Sequence, residues 1–161
     1  MTAIWTFHRF EDGRWVDTAD ADADATPGLL LPARPEVEAT LTIDGRVAIR
    51  DVVWPLAWRL CLEPVRAIRA DGATSFTYRC FGAPTVYTLR VDGDLVQLRR
   101  NDEPEQAFAA AALWTALIAA GARVEALAAR DRGPGDRDVT LLRDARARAE
   151  AALGGQVRTI V

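Results

Sequence analysis

The residues of this chain whose chemistry could reach beyond packing are Cys61 and Cys80, the single histidine His8, and a short alternating run of aspartates. Cys80 lies in SFTYRCFGAPTVYTL, between a strand-like run and a Gly-x-Pro turn. The arginine that closes over phosphate in a phosphatase-type cysteine loop would fall at Val86 for Cys80 and at Ala67 for Cys61, and neither fits. A cysteine hydrolase needs a histidine base within hydrogen-bond reach, and only His8 could serve. On a strand, Phe76, Tyr78 and Cys80 alternate onto one face, so Cys80 is expected to be a buried strand residue and not a nucleophile.

His8 finds a partner by register. In WTFHRFEDGRWVDT, a hairpin closed by Asp12 and Gly13 sets Glu11 opposite Arg14, Phe10 opposite Trp15 and His8 opposite Asp17. A carboxylate beside an imidazole is how a general base is oriented; beside Phe10 and Trp15, a cross-strand structural pair is the expected role. Asp20, Asp22 and Asp24 imitate the opening ligands of a calcium loop. Its glycine position holds Ala25 and its bidentate glutamate position holds Leu31, so a solvated loop is expected there. One histidine and two distant cysteines do not assemble a zinc or iron site, and no Walker loop, dinucleotide glycine fingerprint, H-E-x-x-H or G-x-S-x-G is present. No cofactor and no metal are expected. An enzyme here would have to use His8, Asp17, Tyr78 or Arg79.

The elements that would position these groups follow from turns and periodicity. A second hairpin, ATLTIDGRVAIRD, buries one face only if Leu41 and Ile43 share it with Val47 and Ile49. A two-residue loop breaks that match, so an odd-length loop or a bulge near Arg46 is expected. A third hairpin has Asp92 and Gly93 at its tip, with Leu89 facing Val96 and Tyr87 facing Leu98. Pro55 is expected to open a helix running to Gly72 with a kink at Pro64. NDEPEQAF reads as a helix start with Asp102 as N-cap, Glu105 completing a capping box and Pro104 in the first turn. The helix that follows is apolar nearly all round, with Gly121 as a point of interruption, and is expected at the centre of the fold. A last amphipathic helix from about Asp138 to Leu153 sets Leu142, Ala145, Ala149 and Leu153 on one face and lines the other with Asp144 and Arg148 and with Arg146 and Glu150 at pairing distance.

The fold expected is α+β: one antiparallel, meander-like sheet of about six strands from three hairpins, with two to four helices on one face. The chain of 161 residues is read as a single globular domain, with a flexible loop around 18–37 and a disordered tail at 156–161. Net charge is −3 and all 20 Lys+Arg positions are arginine. That balance removes the positive field that nucleic-acid binding draws on, and the absence of lysine fits a GC-rich bacterial genome. The N-terminus lacks a secretory pattern and the apolar run Ala107 to Ala120 is short for a bilayer, so a cytoplasmic protein without membrane contact is expected.

Five tryptophans, Trp5, Trp15, Trp54, Trp58 and Trp114, exceed what a core this size needs, and one or two are expected at the surface, where tryptophan dominates binding hot spots. The function expected is a non-catalytic cytosolic binding protein with a protein partner or a second copy of itself, in the manner of a toxin-immunity or chaperone-like protein. The alternative is a small-molecule binder or hydrolytic enzyme with a pocket between sheet and helices.

Overall fold

The computed structural model describes residues 1–31 and 37–155. The expected tail at 156–161 and part of the expected loop around 18–37 lie outside these residues. Among the described residues the fold is α+β, and its strands form two antiparallel sheets of four rather than one sheet of about six. The first sheet has β1 (Ala3–Glu11), β2 (Arg14–Ala19), β3 (Glu38–Ile43) and β4 (Val47–Val52) in the order β2-β1-β3-β4, and a single helical turn, α1 (Asp20–Ala23), follows β2. The second is a meander of β5 (Ser75–Arg79), β6 (Val86–Asp92), β7 (Leu95–Arg100) and β8 (Gln106–Ala109). A single sheet fails because β4 is an edge strand. Beyond it the chain enters a helix, and β5 starts a new ladder that meets β4 through side chains only.

The first hairpin has the expected register, Glu11 with Arg14, Phe10 with Trp15 and His8 with Asp17. In the second, Ile43 pairs with Val47 and Leu41 with Ile49 across the loop 44–46, an odd loop as the one-faced burial demands. Asp44 and Gly45 both take positive φ there, the conformation that Asp and Gly tolerate best. The third hairpin is shifted by two residues from expectation: Leu89 faces Leu98, Val91 faces Val96 and Tyr87 faces Arg100. The tip is Gly93 and Asp94, with positive φ at Gly93, the first tip residue, as a II′ turn requires. A shift of two leaves every side chain on its face, so Tyr87, Leu89, Val96 and Leu98 are all buried.

The helix start at Asp102 is overturned. Gln106–Ala109 pairs with β7, bringing Phe108 opposite Val96, and α4 (Ala110–Arg132) begins after it with no side-chain cap at Ala109. Glu105 bonds Arg90 across 3.0 Å instead of closing a capping box. Local cap chemistry lost to pairing with the neighbouring strand β7, which buries Phe108. The N-cap that does operate is Asp136, whose carboxylate accepts from the backbone N–H of Asp138 at 2.9 Å and of Val139 at 3.3 Å at the head of α5 (Arg137–Gly154). Asp136→Ala is therefore expected to cost about 1 kcal/mol in urea denaturation, while Asp102→Ala stays within about 0.5 kcal/mol of the parent. The opposite ranking would restore the rejected helix start.

The helix between the sheets starts at Val53, two residues before Pro55, and ends at Arg69. It consists of α2 (Val53–Pro55), a π-helical segment (Leu56–Leu62) and α3 (Glu63–Arg69). Pro64 cannot donate to a carbonyl of the preceding turn and its ring crowds that turn; widening accommodates it, with the Glu63 N–H donating to the Trp58 carbonyl five residues back. The expected kink is thus a π-segment just before Pro64. Near the helix end, Arg66 pairs with Asp71.

The long helix α4 is central. It touches β1, β7, β8, α5 and the π-segment, and it buries Leu113, Trp114, Leu117, Val124 and Leu127. By length and mean hydropathy it would suffice to cross a bilayer, more than the apolar run Ala107 to Ala120 suggests; 56% of its most apolar window is buried by the rest of the fold. Gly121 does not interrupt it. A Cβ there would stand 2.6 Å from Leu62 Cδ2, so the glycine lets the π-segment approach α4. Trp5 donates its indole N–H to the Ala120 carbonyl at 3.0 Å, tying β1 to the same turn.

Arginines on α4 hold the segment after β2. Arg123 bonds Asp20 at 2.7 Å and Asp24 at 2.8 Å, and Arg130 donates to the carbonyls of Ala23, Asp24 and Thr26. Asp20 and Asp24, expected to be solvated, are ion-paired. The Arg123 bond is the main reason the Asp24 carboxyl lies below the usual carboxylate range. On α5, Arg146 pairs with Glu150 as expected and also with Glu125 of α4, whereas the expected pair of Asp144 with Arg148 does not form among the described residues.

Candidate functional site

Where the C-terminal end of β5, the start of the interior helix and the first turns of α5 meet, they leave an open groove of about 410 Å³. Trp54, Trp58, Phe81, Leu141 and Leu142 line it, with Arg59, Arg79 and Asp138 at its margin. Three of those apolar side chains are unusually exposed, Phe81 at 70%, Trp58 at 42% and Leu141 at 41%. They come from three separate parts of the chain and converge on one concavity, whereas singly scattered apolar residues are ordinary on any surface. Trp54 is fixed in place by the Arg132 guanidinium, 4.4 Å from its ring, and Arg132 in turn bonds Asp138 at 2.8 Å.

Phe81 is held out by a carboxylate below it. Asp51, on β4, is only 5% exposed. It accepts from the backbone N–H groups of Val52 at 2.8 Å, Phe81 at 2.8 Å and Gly82 at 3.3 Å, and from the Tyr78 hydroxyl. One buried carboxylate therefore joins the edge of the first sheet to the loop that carries Phe81, with all its donors in place, as a buried charge requires. Burial, then the Asp51 hydrogen bond, pushes the Tyr78 phenol far above its ordinary range, so the hydroxyl stays a donor at any physiological pH.

Of the four candidate catalytic residues, the structure joins His8 with Asp17 and places the other two elsewhere. His8 Nδ1 lies 2.7 Å from Asp17 Oδ1, and Nε2 lies 2.7 Å from Thr40 Oγ1. A carboxylate only accepts, so Nδ1 donates to Asp17, and with Nε2 bonded to the Thr40 hydroxyl both ring nitrogens are occupied. This pair sits on the solvent side of the first sheet, next to the edge-to-face pair Phe10 and Trp15. Tyr78 points inward to Asp51, and Arg79, alternating outward, reaches the groove margin. Among the described residues no hydrogen bond or ion pair links His8 or Asp17 to Tyr78 or Arg79. No group of three or more His, Cys, Asp or Glu among the described residues is placed to hold a metal.

Cys80 lies one residue beyond β5, 9% exposed, its thiol 3.9 Å from the Arg50 carbonyl. Burial first, and the nearby Asp51 charge second, push the Cys80 thiol up to about 11, against an opposing pull from Arg100. Burial alone pushes Cys61 further. At pH 7.5 a disulfide reagent is therefore expected to modify Cys80 in the folded protein more slowly than it modifies a free model thiol, with the rate rising as the pH is raised towards 11. Fast modification mapped to Cys80 at neutral pH would contradict this.

The groove and Asp51 were not read from the sequence. Asp51 had a signal: the alternation Val47, Ile49, Asp51 on β4 sets a carboxylate on the face that buries Ile49. Such a residue must find donors, and that predicts an anchored contact. The groove had none beyond the surplus of tryptophans, of which Trp15 and Trp58 are exposed. No family model, curated protein or solved structure matches the chain.

Proposed function

We propose that this is a non-catalytic intracellular binding protein that engages another polypeptide through the groove around Trp58, Phe81 and Leu141. The observation that carries the reading is the convergence of three exposed large apolar side chains on a preformed concavity. Its aromatic walls are fixed from behind, by Arg132 under Trp54 and by Asp51 under the Phe81 loop. Aromatic anchors held rigid lose little conformational freedom on binding, which is what makes tryptophan and its kind hot spots. The polar groups that an enzyme reading would need do not meet in this groove; Arg79 alone of the four lines it.

A photo-crosslinking amino acid placed at position 141 tests the reading in cells that express the protein. A discrete polypeptide adduct is expected, and Phe81→Asp should reduce it by about tenfold or more, as removal of a hot spot does. No adduct, or adducts that ignore Phe81→Asp, would overturn it.

A further inference from the structure

The groove does not end at Trp58. The same tryptophan opens a second stretch with Leu62, Glu63, Arg66, Ala145 and Arg148, where Glu63 pairs with Arg59 at 3.6 Å, and Arg66 and Arg148 then line a third with Arg69, Asp71 and Ala152. The three stretches, about 410, 200 and 510 Å³, form one trough between the helix Val53–Arg69 and α5. The two helices run in the same direction, since Trp58 shares its lining with Leu142 and Arg66 with Arg148. The large apolar side chains of the trough thus gather at the N-terminal ends of the two helices, beside Arg59, Arg79 and Asp138, and its C-terminal end is lined by Arg66, Arg69 and Arg148 against one carboxylate, Asp71.

The basic end carries more charge than the fold uses. Arg66 is neutralised by Asp71, but among the described residues Arg69 and Arg148 have no ion-pair partner, and the Arg69 Nε is buried without a hydrogen bond. The two helix C-termini contribute roughly half a negative charge each, less than the two unpaired guanidiniums supply. In a chain of net charge −3, this is a local surplus of positive charge beside an apolar trough.

We infer that the trough receives an amphipathic helix of a partner protein whose apolar face ends in a cluster of carboxylates, the apolar part lying over Trp54, Trp58 and Phe81 and the carboxylates meeting Arg69 and Arg148. The inference rests on the binding function proposed above and adds the partner's chemistry. A helix suits the site because its long walls are two helices, while the edge strands β4 and β5 reach it only with their last residues, Val52 and Arg79; this is the helix-in-groove mode. From Trp54 to Arg69 the wall runs about 22 Å at the helical rise, the length of a four-turn helix. The trough stays open to solvent along its length, whereas a small amphiphile of the same polarity would be enclosed over most of its surface. Arginine in place of lysine favours paired, two-point contact with carboxylates.

Panning a phage-displayed library of random peptides of about four helical turns against the full-length protein tests this directly. Enriched peptides are expected to space apolar residues at helical intervals and to end in a block of Asp or Glu. Their affinity should fall about tenfold for Arg148→Glu, an exposed position whose replacement leaves the core alone, and it should weaken as salt rises. Arg148→Gln should fall between. Peptides that depend on Phe81 but carry no acidic block and ignore both Arg148 variants would overturn the inference and leave the groove's binding role standing. A panning that yields no peptide sensitive to Phe81→Asp would overturn both.

Discussion

Asp51→Ala is expected to destabilise the protein by about 3 kcal/mol in urea denaturation, the largest single effect in the chain outside the apolar core. The carboxylate is the shared acceptor for the Tyr78 hydroxyl and for the N–H groups of Phe81 and Gly82. Removing it takes the acceptor from all three and from the Val52 N–H, at about 1–3 kcal/mol for each group left unpaired and dry. The sum is discounted because Asp51 and Gly82 also line a surface cleft of about 400 Å³ through which water can reach part of the site. Asp51→Asn keeps one accepting oxygen but turns an amide donor towards backbone donors, so roughly half the loss is expected. Tyr78→Phe, which deletes only the hydroxyl and leaves Asp51 its three backbone donors, should cost about 1 kcal/mol. Because the same bonds aim Phe81, Asp51→Asn should weaken groove binding even where the protein remains folded. An Asp51→Ala protein within about 1 kcal/mol of the parent would show that the carboxylate is better hydrated than its burial implies.

Gly121→Val is expected to cost about 3 kcal/mol, at the upper end of overpacking penalties. An added Cβ would lie 2.6 Å from Leu62 Cδ2 and 2.8 Å from Cγ, and Leu62, 1% exposed, has no open space to enter. The better helix propensity of valine over glycine returns only a few tenths of a kcal/mol. Leu62→Ala by itself should cost about 2–5 kcal/mol through the cavity it opens, yet the double variant should recover about 2 kcal/mol of the summed loss, since each change makes room for the other. Denaturation midpoints of the four proteins decide the matter. Additivity within about 0.5 kcal/mol would mean that the two positions do not share the contact.

What could be read from the sequence was local, and what escaped it was the choice among distant pairings. The Asp-Gly turns with the burial pattern on either side fixed the first hairpin down to the pair His8 with Asp17, and in the second they indicated the shared face of Leu41, Ile43, Val47 and Ile49 and an odd loop or bulge, of which the structure has the odd loop. The third hairpin shows the limit of that method, because alternation has period two and a slip of two residues satisfies it equally well. Asp102, Pro104 and Glu105 are helix-start residue types, but they stand in the turn that leads into β8, where pairing of Gln106–Ala109 with β7 takes the place of a first helical turn. Nothing in that segment records the strand beside it. The division into two sheets was hidden for the same reason. Pro64 announced a disturbance in the helix before it, and the π-segment is that disturbance. The candidate groove draws on Trp54, Phe81 and Leu141, which only the packed fold brings near one another, while the His8 and Asp17 pair, the most legible of the candidates, proved the most self-contained.

The strand orders also set how far the chain must search as it folds. In the second sheet every strand lies beside its neighbour in sequence, so β5 to β8 can zip through short loops, each closing at small entropic cost. The first sheet cannot complete itself that way. Its β1 must pair with β3 across the whole stretch between His8 and Glu38, a closure repaid only when Trp5 and Phe7 find α4. The C-terminal meander needs only local closures, whereas the two N-terminal hairpins, synthesised first, need the distant β1-β3 pairing to join into one sheet. During synthesis Trp5 and Phe7 stay without their final partners until the ribosome has released α4, so the apolar face of the first sheet is exposed longest in the life of the nascent chain.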